Sequence, residues 1–294
     1  MENSIYHAFL ELDIPPASFE DARFHILPVP MERSVSYGTG TGQGPQAILQ
    51  ASLQLEAFDG QGIPAEKGIH TCLPVECLSE NVQDDLAAIT VEVGKTIDKQ
   101  SVPIILGGEH TVTLGALKAF AERNEKIGVV QFDAHGDLRD SYEDNSLSHA
   151  CVMRRVHEMG FPIMQIGIRS LSMEEDIFRK QKKIPCLDAA SIFHDGIPAE
   201  ILEPGFPERL YITFDVDCFD PAIMPSTGTP EPGGLTWYQT IELLEKVAAG
   251  RNICGFDVVE LAPSAGFHAA DFTAAKLVYT IMGMISRAGS KQGA

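Results

Sequence analysis

Short, β-branched apolar runs alternate with longer amphipathic stretches along almost the whole chain. Residues 24–30, 102–106, 128–133, 162–168, 209–215 and 253–259 are apolar without period-two alternation, the pattern of strands buried on both faces. Between them the spacing predicts helices near 46–56, 84–99, 112–123, 149–159, 236–249 and 271–286. An edge element near 70–73 and a weaker unit over 174–208 complete the series. Strands that alternate with helices predict a three-layer α/β/α sandwich around a mostly parallel sheet. An eight-fold barrel shares this pattern and is the rival architecture. No composition break, repeat or low-complexity segment divides residues 1–294, so one domain is expected.

The polar residues at the ends of the strands change the picture. His110 follows one run, Asp133, His135 and Asp137 follow the next, Asp215 and Asp217 a third, and Glu260 a fourth. Alternate residues of an extended backbone share a face, so Asp133, His135 and Asp137 can point one way, as can Asp215 and Asp217. In parallel α/β sheets, ligands gather beyond the carboxyl ends of the strands. A single Asp after a strand is most simply a turn former, and a single His a solvated residue. Four carboxylates brought together without cations would be very costly. Six donors exceed what one ion needs, and shared aspartates would hold two divalent ions. Oxygen-rich ligation with some imidazole and no thiolate suits Mn(II) rather than structural zinc. Four aspartates neutralise two such ions; a hydroxide and Glu260 leave the pocket negative, a setting that welcomes a cation.

Bulk properties narrow the partners. With 22 Lys and Arg against 41 Asp and Glu, the formal charge is −19, which argues against nucleic acid or an anionic membrane. There is no run of about 18 apolar residues, and residues 1–10 lack the basic start and apolar core of a signal peptide. The six cysteines are scattered without C-x-x-C pairs, as expected for reduced, mostly buried thiols in a cytoplasmic protein. The Gly-rich stretch 34–45 lacks the Lys-Ser/Thr of a phosphate loop and is expected to shape the rim of a site.

Gly107-Gly108-Glu109-His110, Asp133-Ala134-His135-Gly136-Asp137, Ser148-His149-Ala150 and Asp215-Val216-Asp217-Cys218-Phe219-Asp220-Pro221 resemble, in this order, the motifs of the ureohydrolases: arginase, agmatinase and their relatives. Pro28-Val29-Pro30 and Val258-Val259-Glu260-Leu261-Ala262-Pro263 extend the likeness over nearly the whole chain. The resemblance implies a ureohydrolase catalytic domain with two Mn(II) per subunit, Ni or Co being the alternatives. One ion would take His110, Asp133, Asp137 and Asp215, and the other Asp133, His135, Asp215 and Asp217. It further implies that metal-activated water, oriented by Asp137, cleaves a guanidinium to urea and an amine. His149 would shuttle protons, Glu260 would pair with the guanidinium, and the assembly would be a trimer or hexamer. Two departures stand out: Glu109 where the family more often has Asp, and Ala150 where Gly is common.

The loop 138–147 lacks the Asn/Thr/Ser-rich run with which arginase-like members hold an α-carboxylate. It carries Glu143 and Asp144, which could receive a distal ammonium, or simply be solvated. Arg139, Arg154 and Arg155 leave open an approach to a carboxylated substrate. The expected reaction is agmatine to putrescine and urea, as in polyamine biosynthesis. Aminopropylagmatine, guanidinobutyrate, arginine, guanidine and formimidoylglutamate are the alternatives.

Overall fold

The computed structural model describes residues 6–290; the first half of the segment 1–10 weighed as a leader lies outside them. Its strands are β1 (Phe24–Val29), β2 (Ile69–Thr71), β3 (Val102–Gly107), β4 (Gly128–Phe132), β5 (Ile163–Ile166), β6 (Cys186–Leu187), β7 (Arg209–Asp215) and β8 (Asn252–Val259). They form one eight-stranded sheet in the order β2-β1-β3-β8-β7-β4-β5-β6, and every pairing is parallel. The sheet is open, with β2 and β6 as its edges, so the barrel is excluded.

The central strands send side chains into two different apolar layers. Ile104 and Leu106 belong to the same apolar cluster as Ile48, Leu244 and Val278, whereas Ile105 belongs to that of Ile89, Phe120 and Val156. The first layer is built from α1 (Gly44–Ser52), α7 (Trp237–Ala248) and α8 (Ala269–Ser290). The second is built from α2 (Val82–Asp98), α3 (Val112–Glu122) and α4 (Val152–Glu158), joined by Phe178 of α5 (Met173–Lys182). Each such side chain, when fully buried, contributes about 1.5–3 kcal/mol relative to exposure. That is the three-layer sandwich the strand–helix alternation predicts.

Three differences from the sequence pattern have local causes. The helix expected over 46–56 starts at Gly44, with a proline in its first turn, where no N–H is needed. The helix expected from 149 begins as a 3-10 turn, His149–Cys151, before α4. The weak unit 174–208 resolves into α5, the two-residue β6 and α6 (Ala189–Asp195), with α5 started by a reciprocal Ser172–Glu175 cap. Among the described residues no helix is long and apolar enough to cross a membrane. All six cysteines are free; Cys151, Cys218 and Cys254 are buried, but Cys186 is exposed.

Candidate metal centre and its cavity

The strand order places the carboxyl ends of β3, β8, β7 and β4 side by side at the middle of the sheet. From these ends come His110, Glu260, Asp215 with Asp217, and Asp133 with His135 and Asp137. All but Asp133 line one cavity of about 230 Å³, together with His149, Tyr142, Arg139, Glu175 and the rim segment from Val35 to Gly38. Asp133 lies beneath it, fully buried.

Ligand atoms of His110, Asp133 and Asp137 gather within 4.8 Å of one another, and so do those of Asp133, His135 and Asp217; Asp133 belongs to both groups. His110 Nδ1 stands 3.2 Å from Asp133 Oδ2, 3.0 Å from Asp137 Oδ2 and 3.7 Å from Asp215 Oδ2. Although buried, it makes no directed hydrogen bond. His135 Nδ1 lies 2.9 Å from Asp217 Oδ2. A nitrogen whose lone pair aims among carboxylate oxygens, with no donor to satisfy it, fits a cation held between them.

The other face of His110 supports this reading. Its Nε2 lies 2.8 Å from Thr213 Oγ1, and Thr213 donates to Asp257 Oδ1 at 2.7 Å. The carboxylate only accepts, so with the Thr213 proton spent there, Nε2 is the donor and Nδ1 is left with its lone pair. Asp257 is completely buried and also receives hydroxyls from Tyr211 and Thr113. Asp133 is steadied by Gln131, itself held by Gln165. Arg169 donates to the carbonyls of Asp217, Phe219 and Glu231, tying down the turn that carries Asp217. None of these supporting residues stands in a motif; Gln131, Gln165, Tyr211, Thr213 and Asp257 are polar residues inside otherwise apolar runs, whereas Thr113 and Arg169 carry no such signal.

Electrostatics agree with an excess of carboxylate. Burial pushes Asp137 up to about 7, and the neighbouring Asp133 adds to the effect. Burial likewise pushes Asp215 well above the usual carboxylate range, with Asp217 and Asp133 contributing, and raises Glu260 to about 8. Burial opposes a charge on His135, yet Asp217 and Asp133 raise it to about 12. Asp137 and Glu260 also hold positive φ angles, 52° and 65°, unusual for residues with side chains. Glu260 Oε1 accepts the His110 N–H at 2.6 Å, which leaves Oε2 for a ligand in the cavity. Burial lowers the pKa of His149, and its ring meets Tyr142 edge-on, 6.0 Å between centroids.

Glu143 and Asp144 are not brought to the cavity. They are exposed, form the two central positions of a tight turn closed between Tyr142 and Asn145 at 3.0 and 2.9 Å, and both have positive φ. The same loop sends Tyr142 and Arg139 inward instead, and Arg139 lies 3.8 Å from the buried carboxylate of Glu175. Arg154 and Arg155 face Asp140 and Glu158.

A family model described as Arginase family matches residues 22–283. An N(1)-aminopropylagmatine ureohydrolase from Synechocystis sp. is 37% identical over 282 residues, 90% of each chain. An agmatinase from Pyrococcus horikoshii is 36% identical over 290 residues, 96% of this chain and 98% of that one. The crystal structure of the agmatine ureohydrolase of Thermoplasma volcanium superposes with a TM-score of 0.85 at 29% identity, covering 99% of this chain and 97% of that one.

Proposed function

This chain belongs to the arginase family, and from that premise we propose that it hydrolyses the guanidinium of agmatine, giving putrescine and urea. The carrying observation is the cavity itself. It converges on Asp137, Asp215, Asp217 and Glu260, and its lining includes one arginine, Arg139, beside Glu175. Such a lining attracts a substrate that is cationic at both ends and repels one that ends in a carboxylate.

His110, Asp133, Asp137 and Asp215 would hold one divalent ion, and Asp133, His135, Asp215 and Asp217 the other. When bound, such a pair, Mn(II) by the donor set, supplies Lewis acidity and lowers the pKa of water at the site. Glu260 Oε2 binds the guanidinium N–H groups and fixes its plane. Asp137 orients the attacking water and accepts its proton. Oxygen adds to the guanidinium carbon, and the proton taken by Asp137 passes to His149. As the bond from that carbon to the alkyl-bearing nitrogen breaks, His149 hands this proton to the departing amine, which also takes up the proton released when the adduct's hydroxyl becomes the urea carbonyl. Water and guanidinium thus become urea and an ammonium, with atoms and charge in balance.

A second reading, the aminopropyl derivative of agmatine, is favoured by the names of the similar curated enzymes and by the fully open position of Tyr37 at the rim, 84% exposed. The test is urea release by the Mn(II)-loaded chain from agmatine, aminopropylagmatine, arginine and guanidinobutyrate. Turnover of the first two well above the last two is the expected result. Preference for arginine or guanidinobutyrate would overturn the electrostatic argument.

A further inference from the structure

Glu109, one of the two departures from the commoner family pattern, has a side chain with a defined set of partners. It is completely buried. Its Oε2 accepts the N–H groups of Arg33 and Ser34, each at 2.6 Å, and its Oε1 faces the Ser34 hydroxyl at 3.1 Å. Gly108 lets this happen, since a Cβ there would sit 2.0 Å from the carbonyl oxygen of Met31. The rim segment therefore lies directly against the end of β3.

Ser34 Oγ has three polar neighbours besides solvent. These are the Glu109 carboxylate, the backbone N–H of His149 at 2.9 Å and His149 Nδ1 at 3.2 Å. The carboxylate can only accept, and the backbone N–H can only donate. The one hydroxyl proton goes to Glu109, so Ser34 presents lone pairs to His149 and can pair with Nδ1 only if Nδ1 carries a proton. The Ser148 hydroxyl is farther, at 3.4 Å. Among the described residues no hydrogen bond is made to Nε2, and His149 lines the cavity.

We infer that Glu109 and Ser34 are positioning residues that hold His149 as its Nδ1–H tautomer, with Nε2 directed to the substrate as the atom that exchanges protons. The arrangement repeats, with a serine and a new carboxylate, the Asp257–Thr213–His110 chain beneath the metal cluster. In both, a buried carboxylate fixes a hydroxyl, and the hydroxyl fixes an imidazole tautomer. The Glu109 carboxylate reaches Ser34 directly, at both its N–H and its hydroxyl. The catalytic consequence rests on the proposed role of His149; the tautomer does not.

The test has two parts. Neutron diffraction from deuterium-exchanged crystals of the full chain should show deuterium on His149 Nδ1, none on Nε2, and the Ser34 deuteron directed at Glu109. In parallel, Ser34→Ala should lower kcat for the preferred guanidine by about ten- to a hundredfold with KM and bound metal unchanged, and Ser34→Thr, which keeps the hydroxyl, should restore most of it. Deuterium on Nε2 alone would overturn the inference, as would a Ser34→Ala enzyme with the wild-type kcat. If the unmodified chain cleaves no guanidine, the functional reading fails, yet the deuterium positions still decide whether the relay exists.

Discussion

Glu260 and His110, 150 residues apart, are joined by one short hydrogen bond: the Glu260 carboxylate accepts the His110 backbone N–H at 2.6 Å. The bond ties the group proposed to hold the guanidinium to a member of the candidate metal site. Glu260→Gln keeps an acceptor for His110 but removes the charge. It should lower kcat/KM for agmatine by a hundredfold or more, about 3 kcal/mol, while bound metal stays at the wild-type level. Glu260→Ala should lose both. Kinetics alongside metal analysis checks this; a Gln variant of unchanged kcat/KM would remove Glu260 from substrate binding.

Thr213 connects His110 to the buried Asp257. Thr213→Val preserves shape but leaves two buried polar groups without their partner. It should weaken metal binding about ten- to a hundredfold and destabilise the fold by about 1–3 kcal/mol. Competition titration with a chelator and denaturant unfolding measure the two effects separately.

Arg169 has its guanidinium among carbonyls of residues 217–219 and 231–232, with Gly167 nearby. Arg169→Met should release this turn, destabilising the protein by about 2–3 kcal/mol. Hydrogen exchange should accelerate over residues 217–234 and stay unchanged in β1, at the far side of the sheet. Equal protection in both proteins would contradict that role.

Glu143 and Asp144 occupy the exposed turn rather than the cavity. Glu143→Gln and Asp144→Asn should therefore change kcat/KM for agmatine by no more than about twofold, in keeping with the weak effect of solvated charges. A tenfold loss would return them to the substrate.

His25 is buried inside β1, 3.2 Å from Thr96 Oγ1, with its ring tilted against those of Phe19 and His70. Burial, with His70 nearby, pushes its pKa below the ordinary 6.5. Between the folded and unfolded values the unfolded chain binds the extra proton, so stability rises with pH there. The contribution is complete above about pH 6.5 and is lost as pH falls toward the folded value. His25→Gln should flatten the fall in unfolding midpoint between about pH 7 and 5, measured in urea at each pH.

The donors at the strand ends were legible because each stands where an apolar run stops, and a parallel sheet leaves that position no other role than turn or ligand. The sandwich was legible for the same reason, since strands apolar on both faces need helices on both. Asp257, Thr213 and Arg169 were not, because their partners lie more than 40 residues away, nor was Gln131, which links Asp133 to the distant Gln165; a lone polar residue names none of them. For the acidic pair Glu143 and Asp144 the sequence left a substrate contact and a solvated turn both open, because charge was visible in it while the backbone turn that carries the pair outward was not.

The most direct test of the two-cluster site is a titration of the metal-free full chain with Mn(II), followed by urea release from agmatine at each loading. Because Asp133 belongs to both candidate groups, one around His110 and one around His135, activity should rise until two ions are bound per chain and then level off. Full activity at one ion per chain, or no urea at any loading, would contradict it.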